Sequence, residues 1–143
     1  RIQRLREVYF GMCAQMDDLV GRILKYVWKT QDLKENTVIV FWSDHGELAG
    51  EHYQVYKNSM YEASSRTAMI FSGPKIVSRK IVREATSSLD VTPTILDLVG
   101  VDVSTAGFDG ESQKNVLLSR GEQNDGERAV YTEYYSGFAP TGS

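Results

Sequence analysis

A run of β-branched and aromatic residues at positions 37–42 (TVIVFW) constrains the fold of this chain more than any other feature. Because the run does not alternate with polar residues, it predicts a strand buried on both faces, as in a parallel sheet. A helical pattern and a short polar segment precede it, and this order is typical of an α/β layer fold. Ligands of such sheets gather at the carboxyl ends of strands. Asp44 and His45 follow the run directly and are therefore expected at a ligand-binding edge.

The helical pattern at the start of the chain repeats apolar residues at steps of three and four, which predicts one long amphipathic helix. Its apolar residues are Ile2, Leu5, Tyr9, Met12, Met16, Leu19, Ile23 and Val27. Cys13 lies on or beside this face, so we expect a buried, unreactive thiol there. One cysteine cannot form an internal disulfide, and no metal-binding cysteine spacing occurs.

The rest of the chain contains shorter signals. Residues 30–36 are polar and predict a loop, while residues 47–65 predict a surface loop that includes a short helix. Residues 68–71 (AMIF) predict a second strand, residues 101–128 are rich in turn formers, and residues 130–135 alternate like a third strand. Three strands are few for a sheet covered on both faces, so we expect a missing amino-terminal segment of the same domain to supply more.

A second helix is predicted between Thr92 and Gly100. Thr92 can cap its first turn with Pro93 at the first helical position. Gly100 follows the last apolar residue and predicts the end of the helix.

Composition excludes several classes of protein. Hydrophobic residues make up 41% of the 143 residues and charged residues 24%, which is typical of a globular chain and not of a disordered one. The formal net charge is −3 and no basic stripe occurs, so nucleic acid is not an expected partner. No apolar run approaches the length of a membrane span.

Four segments, in order, resemble the sulfatase family of the alkaline phosphatase superfamily, and the resemblance runs from about Tyr9 to Leu117. The segments are residues 17–24 (DDLVGRIL), 43–52 (SDHGELAGEH), 56–63 (YKNSMYEA) and 89–96 (LDVTPTIL). The second segment resembles the second metal-binding motif of the family, and the third resembles its downstream lysine and Tyr-Glu segment. The spacing from Asp44 to Lys57 also matches. The resemblance is greatest to the arylsulfatase K branch and more distant to the iduronate 2-sulfatase branch.

The resemblance implies both a fold and an activity. Residues 1–143 would be the carboxyl-terminal portion of a sulfatase catalytic domain, in which part of a mixed, mostly parallel sheet is flanked by helices. The parent would be a sulfuric ester hydrolase acting on a sulfated small molecule or a glycosaminoglycan, with uronate 2-O-sulfates as expected substrates. The family location implied is lysosomal or secreted, or periplasmic or exported in bacteria.

The resemblance also implies roles for four residues. Asp44 would be a ligand of one calcium ion, a hard cation that prefers oxygen. His45 would either ligate the metal or hydrogen-bond the sulfate or the nucleophile, and Lys57 would place a point charge on a sulfuryl oxygen in catalysis and substrate binding. His52 would orient the substrate or merely pack. Without the resemblance, Asp44 would be a turn former and Lys57 a solvated lysine.

The nucleophile of the family is a formylglycine made from the Cys or Ser of a Cys/Ser-x-Pro-x-Arg motif. Cys13 is followed by Ala-Gln-Met-Asp, and no Ser of the chain fits the motif either. The formylglycine and the remaining calcium ligands are therefore expected outside this chain, and the chain alone is expected to be inactive. Two alternatives remain: a phosphoesterase of the same superfamily that binds zinc or manganese, and a non-catalytic module that kept the fold.

Overall fold

The structure is a computed structural model that describes residues 1–120 and 128–134. Its helices are α1 (Ile2–Lys29), α2 (Gln31–Asn36), α3 (Glu62–Ser65), α4 (Val91–Leu98) and α5 (Lys114–Leu118). Its strands are β1 (Ile39–Trp42), β2 (Leu48–Ala49), β3 (Val55–Tyr56) and β4 (Met69–Ser72), and 3₁₀ turns lie at Glu51–Tyr53 and Ser88–Asp90. The described chain divides into two compact units, one with residues 1–30, 42–69 and 132–134, the other with residues 31–41, 70–120 and 128–131.

The first unit joins α1 to a small hairpin. Strands β2 and β3 pair antiparallel, with Leu48 opposite Tyr56 and Ala49 opposite Val55. Strand β2 packs against α1, and Leu48 is fully buried. Because β2 is short, its burial is concentrated in two residues, and the hairpin depends on α1 for its cover.

Helix α1 confirms the long helix predicted from the apolar repeat, but it buries none of its residues. Its exposed large apolar residues include Val8, Phe10, Met12, Met16, Ile23, Tyr26 and Trp28. The expected burial of Cys13 is wrong, since the thiol is exposed. The reason is physical: within the described residues, β2 covers only a small part of the helix surface, and the apolar repeat extends far beyond it. None of the described helices is long and apolar enough to cross a membrane.

The predicted strands at positions 37–42 and 68–71 appear as β1 and β4, which lie side by side in a two-stranded sheet. Most residues of both strands belong to the second unit. The prediction that the first strand is buried on both faces is wrong, because its residues are half-buried or exposed. Among the described residues, β4 is the one strand beside β1, so most of its surface has no cover. Residues 130–134 form no strand, and Tyr135 lies outside the described residues.

Helix α4 is anchored by Asp90, whose carboxylate is fully buried. The predicted Thr92 cap is wrong. The chain instead enters through the 3₁₀ turn, whose capping box pairs the Ser87 side chain with the Leu89 N–H and the Asp90 carboxylate with the Ser87 N–H. Gly100 follows the helix with a positive φ of 91°, as predicted for its end.

Two short helices were missed by the sequence prediction. The supposed loop at residues 30–36 contains α2, which side-chain hydrogen bonds hold together, as from Asn36 Nδ2 to the Asp32 carbonyl at 3.0 Å. The turn-rich region contains α5, and Lys114 Nζ joins it to α4 through the Asp97 carboxylate at 2.7 Å. Of the same region, residues 121–127 lie outside the described residues.

Candidate active site

The turn after β1 is held by its own polar groups. Ser43 Oγ donates to the His45 carbonyl at 2.7 Å, and the His45 N–H donates to Asp44 Oδ1 at 2.9 Å. The Asp44 side chain is 79% exposed, so its carboxylate faces solvent. Desolvation alone would raise the pKa of Asp44, but the backbone N–H of His45 and the nearby His45 and Lys57 side chains hold it below its ordinary value. Asp44 is therefore an ionised oxygen donor.

Gly46 is required by the close approach of the chain after the turn. Its N–H donates to the Ser64 carbonyl at 2.7 Å. A Cβ at position 46 would lie 2.1 Å from the Ala63 carbonyl oxygen, well inside van der Waals contact. Only glycine lets this backbone pack against the α3 backbone without displacement.

The His45 ring has a defined pattern of hydrogen bonds. Its Nδ1 lies 2.8 Å from the Gly46 carbonyl oxygen, and a carbonyl only accepts, so Nδ1 carries the hydrogen. In the neutral ring Nε2 then presents a lone pair, and Lys57 Nζ donates to it. The same Nε2 lies 3.5 Å from Asp44 Oδ2. Two electron-rich atoms that close together favour a cation beside them, and in this structure the Lys57 ammonium is that cation.

Lys57 is placed by the hairpin and by α3. It follows β3 directly, and Tyr56 before it has a positive φ of 69°, which turns the chain away from the strand. The Lys57 carbonyl accepts from the Ser59 N–H at 2.8 Å and from Ser64 Oγ at 2.6 Å. The structure therefore brings the side chains of Asp44, His45 and Lys57 together.

His52 lies apart from that cluster of contacts. Its ring stacks on Tyr61, with centroids 3.7 Å apart and planes inclined by 11°. The backbone at His52 has φ 51°, an unusual left-handed conformation that Gly50, at φ 106°, introduces. The stack joins the hairpin turn to the segment that contains Lys57, and both rings remain exposed.

Residues 49–51 are fastened to α1 by Arg6. Arg6 Nε donates to the Ala49 carbonyl at 2.7 Å, and Arg6 Nη2 lies 3.6 Å from Glu51 Oε1. Glu51 Oε2 accepts from the Ala49 N–H at 2.6 Å. The backbone N–H groups of Glu51 and Ala49 are the main reason that the pKa of Glu51 lies below its ordinary value. Neither Arg6 nor Glu51 was singled out from the sequence.

The donor atoms at this site fit a hard cation in part. The Asp44 carboxylate is exposed and ionised, which suits calcium, and the His45 Nε2 lone pair beside it suits a softer metal better. Within residues 1–120 and 128–134, no group of three or more His, Cys, Asp or Glu side chains could enclose a metal ion. Asp44 and His45 can therefore supply two ligands of a larger set.

Comparison with known proteins identifies the chain's relatives. A family model described as Sulfatase matches residues 2–101. Arylsulfatase K of Gallus gallus is 41% identical over 121 residues, covering 85% of this chain and 22% of the relative. Arylsulfatase K of Homo sapiens is 41% identical over 100 residues, covering 70% and 18%. The predicted resemblance to arylsulfatase K is confirmed, and the chain spans about a fifth of the length of these curated relatives.

Solved structures show the same relationship. A phosphonate monoester hydrolase from Silicibacter pomeroyi matches 89% of this chain and 24% of its own, with a TM-score of 0.79 and 35% identity. A structure solved in complex with its substrate D-glucosamine-2-N,6-O-disulfate matches 86% of this chain and 25% of its own, with a TM-score of 0.69 and 36% identity. The predicted fold class, an incomplete α/β domain of the alkaline phosphatase-like sulfatase type, is confirmed. The chain belongs to the sulfatase family.

Proposed function

We propose that Asp44, His45 and Lys57 form one part of the active site of a sulfatase that hydrolyses sulfate esters. The observation that supports this most is the meeting of three chemically different groups at the end of β1: an exposed carboxylate, an imidazole lone pair and an ammonium. Hydrolysis of a sulfate ester develops negative charge on the leaving oxygen and retains it on the sulfuryl oxygens. Fixed positive charge at those oxygens lowers the barrier.

Lys57 donates a hydrogen bond to a sulfuryl oxygen in this proposal. His45 Nε2 accepts from the same ammonium in the structure, so it holds Nζ at the end of β1 before substrate arrives. The carboxylate of Asp44 would hold a calcium ion together with ligands outside this chain. His45 Nε2 would join these ligands only after Lys57 Nζ leaves it, because its one lone pair cannot bind both groups. The chemistry that calcium supplies when bound is neutralisation of charge on the sulfuryl oxygens. The second role considered for His45, a hydrogen bond to the sulfate or the nucleophile, uses the same Nε2 atom, which must carry a hydrogen to donate to a sulfate oxygen.

The finer assignments belong to the same proposal. The substrates are uronate 2-O-sulfates of glycosaminoglycans, the nucleophile is a formylglycine outside this chain, and the location is lysosomal or secreted, or periplasmic or exported in a bacterium. His52 orients the sugar, because its ring stays exposed while it stacks on Tyr61, in the segment that also contains Lys57. The arylsulfatase K relatives support the sulfatase activity itself.

These 143 residues alone are proposed to be inactive. No Cys or Ser in them begins a Cys/Ser-x-Pro-x-Arg motif, so they contain no residue that would become the formylglycine nucleophile. Purified residues 1–143 should therefore release no product from an aryl sulfate, and measurable turnover would contradict this proposal.

A second candidate function is phosphonate or phosphate ester hydrolysis. It is supported by the structural similarity to the phosphonate monoester hydrolase, at 35% identity, and by the nitrogen donor of His45. Zinc and manganese accept imidazole more readily than calcium does, so the identity of the metal separates the two candidates.

The test compares substrates and metals in the protein that contains this sequence. Rates are measured on para-nitrophenyl sulfate, para-nitrophenyl phosphate and para-nitrophenyl phenylphosphonate, after chelation and re-addition of calcium, manganese or zinc. The proposal predicts the highest kcat/KM on the sulfate ester and restoration by calcium. A preference for the phosphonate or phosphate ester with zinc or manganese would support the second candidate. No turnover of these esters or of a 2-O-sulfated uronate would support a non-catalytic module.

A further inference from the structure

Ser64 is the one residue described whose hydrogen bonds reach both the turn after β1 and the Lys57 backbone. Its carbonyl accepts from the Gly46 N–H at 2.7 Å, and its hydroxyl donates to the Lys57 carbonyl at 2.6 Å. It is 4% exposed, the most buried residue of α3. Both bonds are short, and they join Ser64 to residues 18 and 7 positions earlier in the chain.

The residue itself is held firmly. The Ser64 N–H donates to the Tyr61 carbonyl at 2.8 Å, which fixes the first turn of α3. Next to it, the Ala63 carbonyl lies so close to Gly46 that a Cβ there would stand 2.1 Å away. The backbones of α3 and of the turn after β1 are therefore closely packed, and a shift of Ser64 would displace Gly46 or Lys57 or break its hydrogen bond to one of them.

We infer that Ser64 is a positioning residue, which sets the separation between the Asp44–His45 turn and Lys57. The inference rests on the proposed function, since Lys57 Nζ is useful only where a sulfuryl oxygen can meet it. Ser64 acts through the backbone: one bond fixes the turn that presents His45, and the other fixes the carbonyl of the residue that presents the ammonium. A sugar or sulfate does not have to contact Ser64.

Ser64→Ala isolates the second of these bonds, because the backbone carbonyl that binds Gly46 remains. The Ser59 N–H still reaches the Lys57 carbonyl, so the segment loosens rather than collapses. Displacement of a catalytic group by about 1 Å can cost about 100-fold in rate, so the partial loosening should lower kcat about tenfold. KM should change less than about twofold, since the Lys57 ammonium stabilises the transition state, where negative charge is greatest, more than it stabilises the bound substrate.

The neighbouring Ser65 provides the matched control. Its hydroxyl donates to the Tyr61 carbonyl at 3.2 Å, at the start of the same helix, and none of the described hydrogen bonds joins Ser65 to Lys57 or to the turn after β1. Ser65→Ala should leave kcat within about twofold. If the role of Ser64 is merely structural, Ser64→Ala should lower thermal stability, and it should also reduce the remaining activity of a protein that already lacks the Lys57 side chain. We therefore combine Ser64→Ala with Lys57→Ala, where positioning predicts no further loss.

A readout independent of turnover follows the Lys57 amine itself. Acetic anhydride labels Lys57 slowly while His45 holds it, and Ser64→Ala should raise its labelling several-fold relative to Lys25 on α1. If Ser64→Ala does not fold, Ser64→Cys tests the same bond, because a thiol is a weak donor of similar size.

The outcomes separate the claims. A selective kcat loss in Ser64→Ala, absent in the Lys57→Ala background and accompanied by faster labelling, supports the inference. Equal effects of Ser64→Ala and Ser65→Ala, or a full further loss in the Lys57→Ala background, would overturn it. If the wild-type protein hydrolyses no sulfate ester, the proposed function fails. Labelling then decides the inference alone: a rise supports the positioning role and no rise overturns it.

Discussion

Removing Arg128 should destabilise the second unit by leaving a buried carboxylate without its cation. Arg128 Nη1 and Nη2 donate to the two oxygens of Asp90 at 2.6 and 2.7 Å, and Asp90 is fully buried. The Ser87 and Glu111 N–H groups also donate to this carboxylate, each at 2.9 Å. Arg128→Ala removes two of its four hydrogen bonds and its only paired charge among the described residues.

The size of the loss in the free energy of unfolding depends on the interactions that the Asp90 carboxylate keeps in Arg128→Ala. Breaking a buried ion pair on one side costs about 3–5 kcal/mol. Two backbone donors stay in place and the Arg128 side chain is 17% exposed, so water can reach the cavity and reduce the cost. We expect a loss of about 2–3 kcal/mol in the free energy of unfolding, because half of the hydrogen bonds survive.

Urea unfolding followed by far-ultraviolet circular dichroism measures this loss. The control is Arg66→Ala, which breaks the Arg66–Glu62 ion pair at 3.4 Å, where both side chains are 82% exposed. Such a surface pair should contribute less than about 1 kcal/mol. If Arg128→Ala and Arg66→Ala shift the free energy of unfolding equally, the Asp90 carboxylate is not an anchor and the reasoning is wrong.

Two further predictions follow from single positions. Burial raises the pKa of Asp90, but hydrogen bonds from Arg128 and from backbone N–H groups outweigh it and hold that pKa below the ordinary value of about 3.9. The ionised Asp90 carboxylate stabilises the folded state fully above the unfolded pKa, and this stabilisation is lost as pH falls through the folded pKa. Asp90→Asn should therefore make the urea midpoint of unfolding depend less on pH in the acid range. An unchanged dependence of the urea midpoint on pH would contradict this prediction. Gly46→Ala should lower kcat/KM at least about tenfold, because its Cβ would meet the Ala63 carbonyl at 2.1 Å. Gly11→Ala, where a Cβ has open space, is the control and should leave kcat/KM unchanged.

The sequence predicted the elements whose signals are local and repeated. The long apolar repeat gave α1, and Gly100 marked the end of α4, because periodicity and a left-handed C-terminus are properties of the segment itself. The two strands at 37–42 and 68–71 were also found. The short α2 and α5 were missed, since a helix of five or six residues has too few turns to show a repeat and is held by contacts outside it.

Burial, and contacts between separate segments of the chain, could not be predicted in the same way. The exposure of Cys13 and of β1 depends on which elements cover them, and periodicity says only which face could be covered. Asp44, His45 and Lys57 were singled out because they match a family motif, and their roles stay predictions. Ser64 carries no such signal: a serine in a polar segment has many roles, and its contacts with Gly46 and Lys57 exist only after folding.

The most direct test of the central claim measures sulfate ester hydrolysis by the protein that contains this sequence, with Lys57→Ala compared against Lys25→Ala. Lys25 is exposed on α1 and serves as a control for loss of one positive charge. We predict that Lys57→Ala lowers kcat/KM on para-nitrophenyl sulfate at least about 100-fold, the order expected when a group that stabilises developing charge is removed. Lys25→Ala should leave kcat/KM unchanged. If the folded Lys57→Ala protein hydrolyses the ester as fast as the Lys25→Ala protein, the cluster at the end of β1 is not part of a sulfatase active site.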